Sequence, residues 1–256
     1  ATWTKVSQNI PGLVEWGTIS NITASRYDAG TAYLTVDAHQ VDNRDPWIYV
    51  TRDYGATWRL IVNGIPRSPL SYAHMVAEDP VKRGLLYAGT ENGVYVSFDD
   101  GARWQPLQTN LPHVPVYWIT VQPRYHDLVI ATYGRGFWIL DDVTPLRELA
   151  AAVPNAPAHL FATRETFRLR DAETPFVIFD DPAASQAPPA GAAITYWVGR
   201  VSNDSAKRAV GARPDTTKKP ADSVTITVAD ASGAVVRTMK GPADAGVGRV
   251  WWNLRY

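Results

Sequence analysis

The stretch from Val36 to Pro46, VDAHQVDNRDP, concentrates side chains that can carry charge, form hydrogen bonds or transfer protons. Carboxylates beside a histidine and an arginine can bind a sugar, a cation or a charged partner. Glycoside hydrolysis in particular needs two carboxyl groups flanking the bond, roughly 5–10 Å apart. A variable surface loop is the plainer alternative. The candidate ligand-binding residues here are Asp37, His39, Asp42, Arg44 and Asp45.

Further candidates lie in aromatic-rich and glycine-rich segments. Tyr72, Tyr117 and Trp118 lie just before or on predicted first strands of the repeats, where aromatic rings can stack on sugar faces or pack between sheets. Arg135 lies in YGRGF, where its guanidinium could meet a carboxylate. A strand and not a helix is predicted directly after that segment, so it does not indicate a nucleotide site. Other carboxylates are interpreted as turn or surface groups: Glu78, Asp79, Glu91, Asp127, Asp141 and Asp142.

The composition excludes several classes of site and partner. The chain has no cysteine, which excludes disulfides and thiolate chemistry. Its five histidines show no metal-ligand spacing, so neither a structural metal site nor a cofactor is expected, and an oxygen-ligated ion is left as the alternative. The 25 basic residues balance the 25 acidic ones, which argues against a nucleic-acid partner. No apolar stretch is long enough for a membrane span.

Short strands must position these candidates. Ten tryptophans and twelve tyrosines accompany 19 prolines and 18 glycines, which is typical of many short strands joined by tight turns. Three segments align as strand, polar turn and strand, and a further strand follows each. The unit recurs after roughly 45 residues, and repeats of ~40–50 residues with four short strands are typical of propeller blades. The aligned segments are 22–33, 76–87 and 119–130, and the further strands are 47–50, 93–96 and 136–139.

An eight-residue motif, Ser/Thr-x-Asp-x-Gly-x-x-Trp, follows the further strand in the first two repeats. In such a box the aspartate can accept hydrogen bonds from backbone N–H groups of a tight turn, and the glycine allows a positive φ. The tryptophan can pack beneath the hairpin. A structural role is therefore predicted, in preference to direct ligand binding. The two matches are Thr51, Asp53, Gly55 and Trp58, and Ser97, Asp99, Gly101 and Trp104.

The motif resembles the Asp-box, or bacterial neuraminidase repeat, of propellers such as sialidases, xyloglucanase-type glycosidases and the sortilin ectodomain. The segment ATYGRGFWILDDVTPLREL resembles the one that closes the propeller in large secreted bacterial proteins of sortilin-like or glycosyl-hydrolase-like type. The resemblance covers residues 1 to about 150. It implies a secreted or periplasmic bacterial protein, but it specifies no activity, because this repeat hosts several unrelated functions.

Residues 1–142 are therefore predicted to form about three blades of an Asp-box β-propeller. Trp3 repeats the end of a box, which suggests that the chain begins inside a repeat. Propellers close with four to eight blades. The remaining blades are expected as partners, supplied by an upstream segment, a separate chain or symmetry mates.

A connector and a second domain are predicted after the repeats. Residues 143–156 contain a short helix that begins at Thr144, whose hydroxyl is expected to cap it before Pro145. Residues 157–256 are predicted to form an immunoglobulin-like β-sandwich. From Val224 to Trp252 the chain resembles immunoglobulin-like domains of flagellar hook-capping and secretion-associated bacterial proteins. The matching residues are Asp230, Gly233, 236–238, 245–246 and 250–252, and strands are predicted at 159–161, 166–170, 193–199, 223–229, 235–240 and 248–255.

These features predict an all-β protein and leave three functional hypotheses. The first is a secreted binding or assembly module that recognises a glycan or an extracellular protein through the propeller scaffold. The second is a glycoside hydrolase of the sialidase or xyloglucanase type, with catalytic acids partly outside this chain. The third is a structural subunit of an extracellular assembly.

Overall fold

The structure is a computed structural model that describes residues 2–149, 156–168, 189–199 and 223–255. The chain divides into two compact units, Ala1–Ala150 and Ala151–Tyr256. Antiparallel strands dominate both units, which confirms the predicted all-β class. Among the described residues the only α-helix is α1, Thr144–Leu149, and single 3-10 turns occur at Ser7–Asn9 and His39–Val41.

The first unit contains three sheets in which strands adjacent in sequence are paired. The first sheet comprises β1 (Thr18–Ala24), β2 (Ala32–Asp37), β3 (Trp47–Thr51) and β4 (Arg59–Leu60). The second comprises β5 (Ala73–Glu78), β6 (Leu86–Thr90), β7 (Gly93–Ser97) and β8 (Gln105–Pro106). The third comprises β9 (Val116–Val121), β10 (Leu128–Thr132) and β11 (Phe137–Leu140).

Each sheet packs one face against the next sheet. Ile48 and Val50 of β3 belong to the core between the first two sheets, together with Trp104. Val94 and Val96 of β7 hold the equivalent positions in the core between the second and third sheets. The first strands β1, β5 and β9 lie side by side. The two cores follow from the alternation of side chains along each strand, because every second residue points to the same face of the sheet.

Asp79 is a buried residue that pairs with Arg147 of helix α1, and not the surface group that the sequence suggested. It has no exposed surface, and both its carboxylate oxygens accept from Arg147 Nε, at 3.0 and 3.1 Å. The backbone N–H groups of Val81 and Lys82 each donate to Asp79 Oδ1 at 2.8 Å. A turn after β5 thereby holds helix α1, because a buried carboxylate requires a charged partner and backbone donors.

Helix α1 begins with a cap that differs from the prediction. The Asp142 carboxylate accepts the Thr144 N–H at 3.1 Å, so the acid two residues earlier supplies the capping oxygen expected from the Thr144 hydroxyl. Asp142 also adopts a φ of 54°, and its N–H donates to Asp127 Oδ1 at 3.0 Å. Asp127 and Asp142 therefore organise the end of the third sheet, and Asp142 is a buried residue.

The second unit has two small sheets among its described residues. One joins β12 (Ala158–Leu160), β13 (Ala192–Val198) and β16 (Gly246–Trp252), and the other pairs β14 (Ser223–Ala229) with β15 (Val235–Pro242). The Tyr196 hydroxyl on β13 donates to Pro242 O at 2.8 Å and so links the two sheets. The immunoglobulin-like arrangement stays a prediction.

The strand bounds of this unit differ locally from those expected. The last strand ends at Trp252, because the next residues form a turn in which Trp252 Nε1 donates to Arg255 O at 3.0 Å. Residues 166–168 are not in a strand, and 169–170 lie outside the described part of the chain. Asp230 begins the turn between β14 and β15, where its carboxylate accepts the N–H groups of Ser232 and Ala234 at 2.8 and 3.0 Å.

Candidate functional site

The first eight-residue box closes the turn between β3 and β4. Thr51 Oγ1 donates to Asp53 Oδ1 and accepts the Gly55 N–H, both at 2.9 Å. The hydroxyl and N–H of Thr57 donate to the Asp53 carboxylate at 2.6 and 2.8 Å. These bonds from Thr57 lower the pKa of Asp53 below its ordinary range, because they stabilise the ionised form.

The second box, between β7 and β8, repeats this hydrogen bonding. Ser97 Oγ donates to Asp99 Oδ1 at 2.8 Å and accepts the Gly101 N–H at 2.9 Å. The Arg103 N–H donates to Asp99 Oδ1 at 2.8 Å. Because both box aspartates bind atoms of their own turns, the geometry favours a structural role over contact with a ligand.

The box tryptophans are buried but differ in their hydrogen bonds. Trp104 Nε1 donates to Ile61 O of the preceding repeat at 2.7 Å. Trp58 Nε1 is buried without a hydrogen-bond partner in the described part of the chain. Trp3, the third copy in the sequence, is 97% exposed. Of the three tryptophans, Trp104 is therefore the one that is both buried and hydrogen-bonded to the preceding repeat.

A second constellation of aromatic and titratable side chains lies at one edge of the first unit. They come from the starts of β5 and β9 and from the connections after β2, β6 and β10. In an antiparallel sheet the start of the first strand lies beside the end of the second strand. The starts of β5 and β9 and the ends of β2, β6 and β10 therefore lie at the same edge of the first unit. This rim cluster comprises Asp37, His39, Tyr72, His74, Glu91, Tyr117 and Tyr133.

Two members of the rim cluster are extra residues in equivalent β-bulges. The pairing of β5 with β6 skips His74, and the pairing of β9 with β10 skips Tyr117. Bulges re-aim the side chain of the extra residue. The two rings stack with centroids 4.0 Å apart. At the equivalent bulge in β1, the Ser20 hydroxyl instead lies 2.9 Å from Thr35 Oγ1.

The rings form a continuous row from the interior to solvent. The ring centroids of His39 and Tyr72 are 4.9 Å apart, and those of Tyr72 and His74 are 5.3 Å apart. Tyr117 and Tyr133 continue the row with centroids 6.0 Å apart. His74 is buried, whereas Tyr117 and Tyr133 are 50% and 74% exposed. Tyr117 therefore stacks on a buried imidazole, and Tyr133 contacts Tyr117.

Two carboxylates hold the imidazoles of this row. His74 Nε2 donates to Glu91 Oε2 at 2.9 Å, while His74 Nδ1 lies 4.0 Å from Asp37 Oδ2. His39 Nδ1 donates to Asp37 Oδ1 at 2.6 Å. Burial, and then a hydrogen bond to Glu91, raises the pKa of Tyr72, so its phenol stays protonated. The cluster thus offers two acceptors beside aromatic faces.

Four of the sequence candidates join this cluster: Asp37, His39, Tyr72 and Tyr117. The rest of the loop after β2 is arranged differently. Asp42 has a φ of 60° after a 3-10 turn, and Arg44 is exposed. Asp45 Oδ2 lies 3.6 Å from Arg67 Nη1. The loop therefore divides into a part that reaches the cluster and a part that turns to solvent.

The other predicted aromatic and basic candidates lie outside the rim cluster. Trp118 faces the opposite side of β9 from its neighbour Ile119, which is buried in the core. Arg135 lies in the turn between β10 and β11, where its carbonyl accepts from Trp138 Nε1 at 3.1 Å. Neither side chain is in ring contact with the described members of the cluster.

Glu91 of the cluster was interpreted from the sequence as a turn or surface group, and His74 and Tyr133 were not among the sequence candidates. Their signal lay in the repeat alignment. The Glu91 N–H donates to Tyr72 O at 3.1 Å, and the Tyr133 N–H donates to Pro115 O at 2.9 Å, so both follow a second strand at equivalent positions. Loops after equivalent strands meet at one edge, which marks Glu91 as a site residue.

The described residues contain no group of three histidine, aspartate or glutamate side chains arranged to hold a metal ion. Within the same residues, no helix has the length and apolar character to cross a bilayer. The arrangement that remains is one of hydrogen-bond acceptors and aromatic surfaces.

Comparison with protein-family models gives no match, and no curated protein sequence matches the chain. Among solved structures, an ancestral GH74 enzyme matches 46% of this chain at 16% identity and a TM-score of 0.38. The GH74 enzyme of Niastella koreensis matches 48% at 15% identity and 0.38. The GH74 xyloglucanase from Xanthomonas campestris matches 47% at 15% identity and 0.32.

The matched part corresponds to 14, 21 and 20% of those three proteins, so this chain spans about a fifth of their length or less. The structural neighbours are thus GH74 enzymes, but their TM-scores are too low to carry an argument about fold or function. The function of this chain is therefore inferred from its own geometry.

Proposed function

We propose that the first unit is a binding module that recognises a glycan at the rim cluster, on blades of an Asp-box β-propeller. The observation that carries this proposal is the stack of Tyr117 on His74, with ring centroids 4.0 Å apart. A half-exposed tyrosine on a buried imidazole is a rigid aromatic surface that loses little entropy on binding.

The acids of the cluster complement that surface. The carboxylates of Asp37 and Glu91 already hold the two histidines, and each has further lone pairs for hydroxyl donors. A sugar presents an apolar ring face together with hydroxyl groups, which matches tyrosine faces beside carboxylates. The secreted or periplasmic location and the alternative of an extracellular protein ligand belong to the same proposal.

The propeller assignment has its own support. The order of the sheets, the side-by-side first strands and the two equivalent boxes are all typical of propeller blades. The face of the third sheet exposes Phe137 and Ile139. We propose that further blades cover it, supplied by an upstream segment, a separate chain or another copy.

The binding function is tested by glycan-array screening of the full chain, followed by calorimetry with the best glycan. Tyr117→Ala and Tyr133→Ala should each weaken binding about tenfold or more, as loss of an aromatic contact does. Tyr54→Ala is the matched control, because Tyr54 is an exposed tyrosine of the first box outside the cluster. Equal loss in all three variants, or in none, would contradict the rim as binding site.

A second candidate function is glycoside hydrolysis, for which one observation speaks: Asp37 and Glu91 flank opposite nitrogens of the His74 ring. An enzyme of this type needs two carboxyl groups around the scissile bond. Release of reducing sugar that disappears in both Asp37→Asn and Glu91→Gln would favour the hydrolase. Binding without turnover favours the module, and absence of both favours the structural-subunit hypothesis.

A further inference from the structure

The two carboxylates of the rim cluster, those of Asp37 and Glu91, form no ion pair with a lysine or arginine among the described residues. Their charged neighbours are the imidazoles of His39 and His74. The other ion-paired carboxylates of the first unit all face an arginine. An imidazole can be neutral at physiological pH, whereas an arginine always carries its charge. The rim cluster therefore offers negative charge that no permanent cation of the described chain offsets.

The Tyr117 phenol lies in the field of these carboxylates. Burial raises the pKa of Tyr117, and the charges of Glu91 and Asp37 raise it further, with Glu91 the stronger of the two. Tyr27, in the turn between the first two strands of its sheet, is different. Burial and two carboxylates raise the pKa of Tyr27, but two arginines act in the opposite direction. The surroundings of Tyr117 are therefore anionic, and Glu91 is the carboxylate that acts on it most.

The carboxylates and the exposed rings reach solvent at the same edge of the unit. The side chains of Asp37 and Glu91 are 14% and 20% exposed. The rings of Tyr117 and Tyr133 are tilted by 43° to each other, with centroids 6.0 Å apart, so they present two differently directed faces. A positively charged group is attracted both by ionised carboxylates and by the faces of aromatic rings. Both features of the rim cluster therefore favour the same ligand charge.

The arginines of the neighbouring loops do not neutralise this charge. Arg44 follows β2 and Arg135 follows β10, and both residues are exposed. Neither forms an ion pair with a rim carboxylate in the described part of the chain. The whole chain has 25 basic and 25 acidic residues, so a general attraction of cations to the protein is not expected. A preference for a cationic ligand would therefore come from the rim cluster itself.

Three classes of sugar should differ at such a site. The hydroxyl group of a neutral sugar gains a hydrogen bond from a carboxylate, whereas an ammonium group gains the hydrogen bond and the attraction between opposite charges. An acidic sugar would bring a further carboxylate to the cluster and would be repelled. An amino sugar combines a ring for the exposed tyrosines with a positive charge for the acids.

We propose that the rim cluster selects a glycan built of amino sugars, whose protonated amine pairs with Glu91 while a pyranose ring lies against the exposed tyrosines. Glu91 is favoured over Asp37 as the partner of the amine, because Asp37 Oδ1 already accepts the His39 N–H at 3.0 Å and a hydrogen bond from His39 Nδ1 at 2.6 Å. This inference rests on the proposed function, since it names the ligand class of the same site.

The test is calorimetry on the full chain at low salt and about pH 6.5, below the usual pKa of an amine and above that of a carboxyl group. The probes are three β-1,4-linked trimers that differ only in the substituent at C2: the trimers of glucosamine, N-acetylglucosamine and glucose. The glucosamine trimer should bind about tenfold or more tightly than either of the others. This preference should shrink severalfold at about 0.5 M salt, because salt screens charges that are open to solvent.

Two matched variants locate the charge. Glu91→Gln removes the charge and keeps the shape of the side chain, so it should reduce the preference to about threefold or less. Glu148→Gln makes the same change in helix α1, outside the rim cluster, and should keep the preference within about twofold of the wild type. Thermal melting checks that both variants fold. If Glu91→Gln does not fold, the salt dependence of the unmodified chain decides.

The other outcomes separate this inference from the proposed function. If the three trimers bind equally, or the neutral ones bind more tightly, and Tyr117→Ala removes that binding, the amine is refuted and the rim remains a glycan site. A preference that survives both Glu91→Gln and high salt would likewise refute the pairing of the amine with Glu91. If no trimer binds, or Tyr117→Ala leaves binding unchanged, both the rim as glycan site and the choice of an amino sugar are wrong.

Discussion

The same positions of the repeat are buried in the second sheet and bare in the third. Val94 and Val96 of β7 are 0% and 2% exposed, whereas Phe137 and Ile139 of β11 are 79% and 61% exposed. All four are apolar and alternate along equivalent strands. The difference lies in the neighbouring sheet, because within the described residues of the first unit only the second sheet has a further sheet packed against that face. In this architecture, an apolar strand face is therefore buried only where a neighbouring sheet packs against it.

The sheets differ in their closing turns as well. Thr51 and Ser97 end the third strands of the first two sheets and begin a box, whereas Leu140 ends the third strand of the third sheet. There Asp142 caps helix α1 instead of closing a turn onto a tryptophan. Loss of the box hydroxyl thus coincides with the change from sheet to connector.

The largest expected effect is a difference in stability loss between substitutions of the two box tryptophans. Trp104→Ala should lower the free energy of unfolding by about 3–5 kcal/mol, because it removes a fully buried indole and its bond to Ile61 O. Trp58→Ala should cost less, since the Trp58 indole N–H has no partner in the described chain. Urea unfolding followed by circular dichroism measures both, and an equal or larger loss for Trp58→Ala would contradict the comparison.

The next effect concerns the buried link between the second sheet and the connector. Arg147→Ala should destabilise the first unit by about 3 kcal/mol, because it leaves the Asp79 carboxylate buried without its cation. Arg67→Ala is the control, since Arg67 pairs with Asp45 at the surface and should change stability by less than about 0.5 kcal/mol. Similar unfolding curves for the two variants would show that the buried pair does not hold α1.

The sequence predicted those parts of the fold in which the interacting residues are close together in the chain. The box residues bond within their own turns, so one segment such as Thr51–Trp58 contains all the information needed. The repeat spacing likewise predicted the order of the strands. The sequence did not predict the partner of Asp79, because Arg147 lies in a different element and no local sequence pattern connects the two residues.

The candidate site was predicted in part for the same reason. Asp37 and His39 lie two residues apart in one loop, and their mutual hydrogen bond is local. His74 and Tyr117 meet only through two bulges on different strands. A bulge leaves no clear trace in a single sequence, and a one-residue shift moves a side chain to the other face of the sheet. The stacked pair therefore required the three-dimensional register.

A smaller, pH-dependent effect tests the charge of Asp53 in the first box. The pKa of Asp53 is lowered in the folded state, so its contribution to stability is present above the unfolded pKa and is lost as the pH falls through the folded pKa. The difference in melting temperature between the wild type and Asp53→Asn should narrow from about pH 6 to about pH 3. A difference that stays constant over this range would mean that the charge of Asp53 does not contribute to the turn.

The smallest expected effect is the sharpest test of the contrast between the second and third sheets. In the chain alone, with no further blade bound, Ile139→Ala should change the free energy of unfolding by less than about 0.5 kcal/mol, because its side chain is then in contact with water. Val96→Ala, at the equivalent position of the second sheet, should cost about 2 kcal/mol through the cavity it leaves. A comparable loss for Ile139→Ala would mean that another chain covers this face in solution. That loss would then shrink on dilution, because the stability supplied by a bound partner follows its concentration.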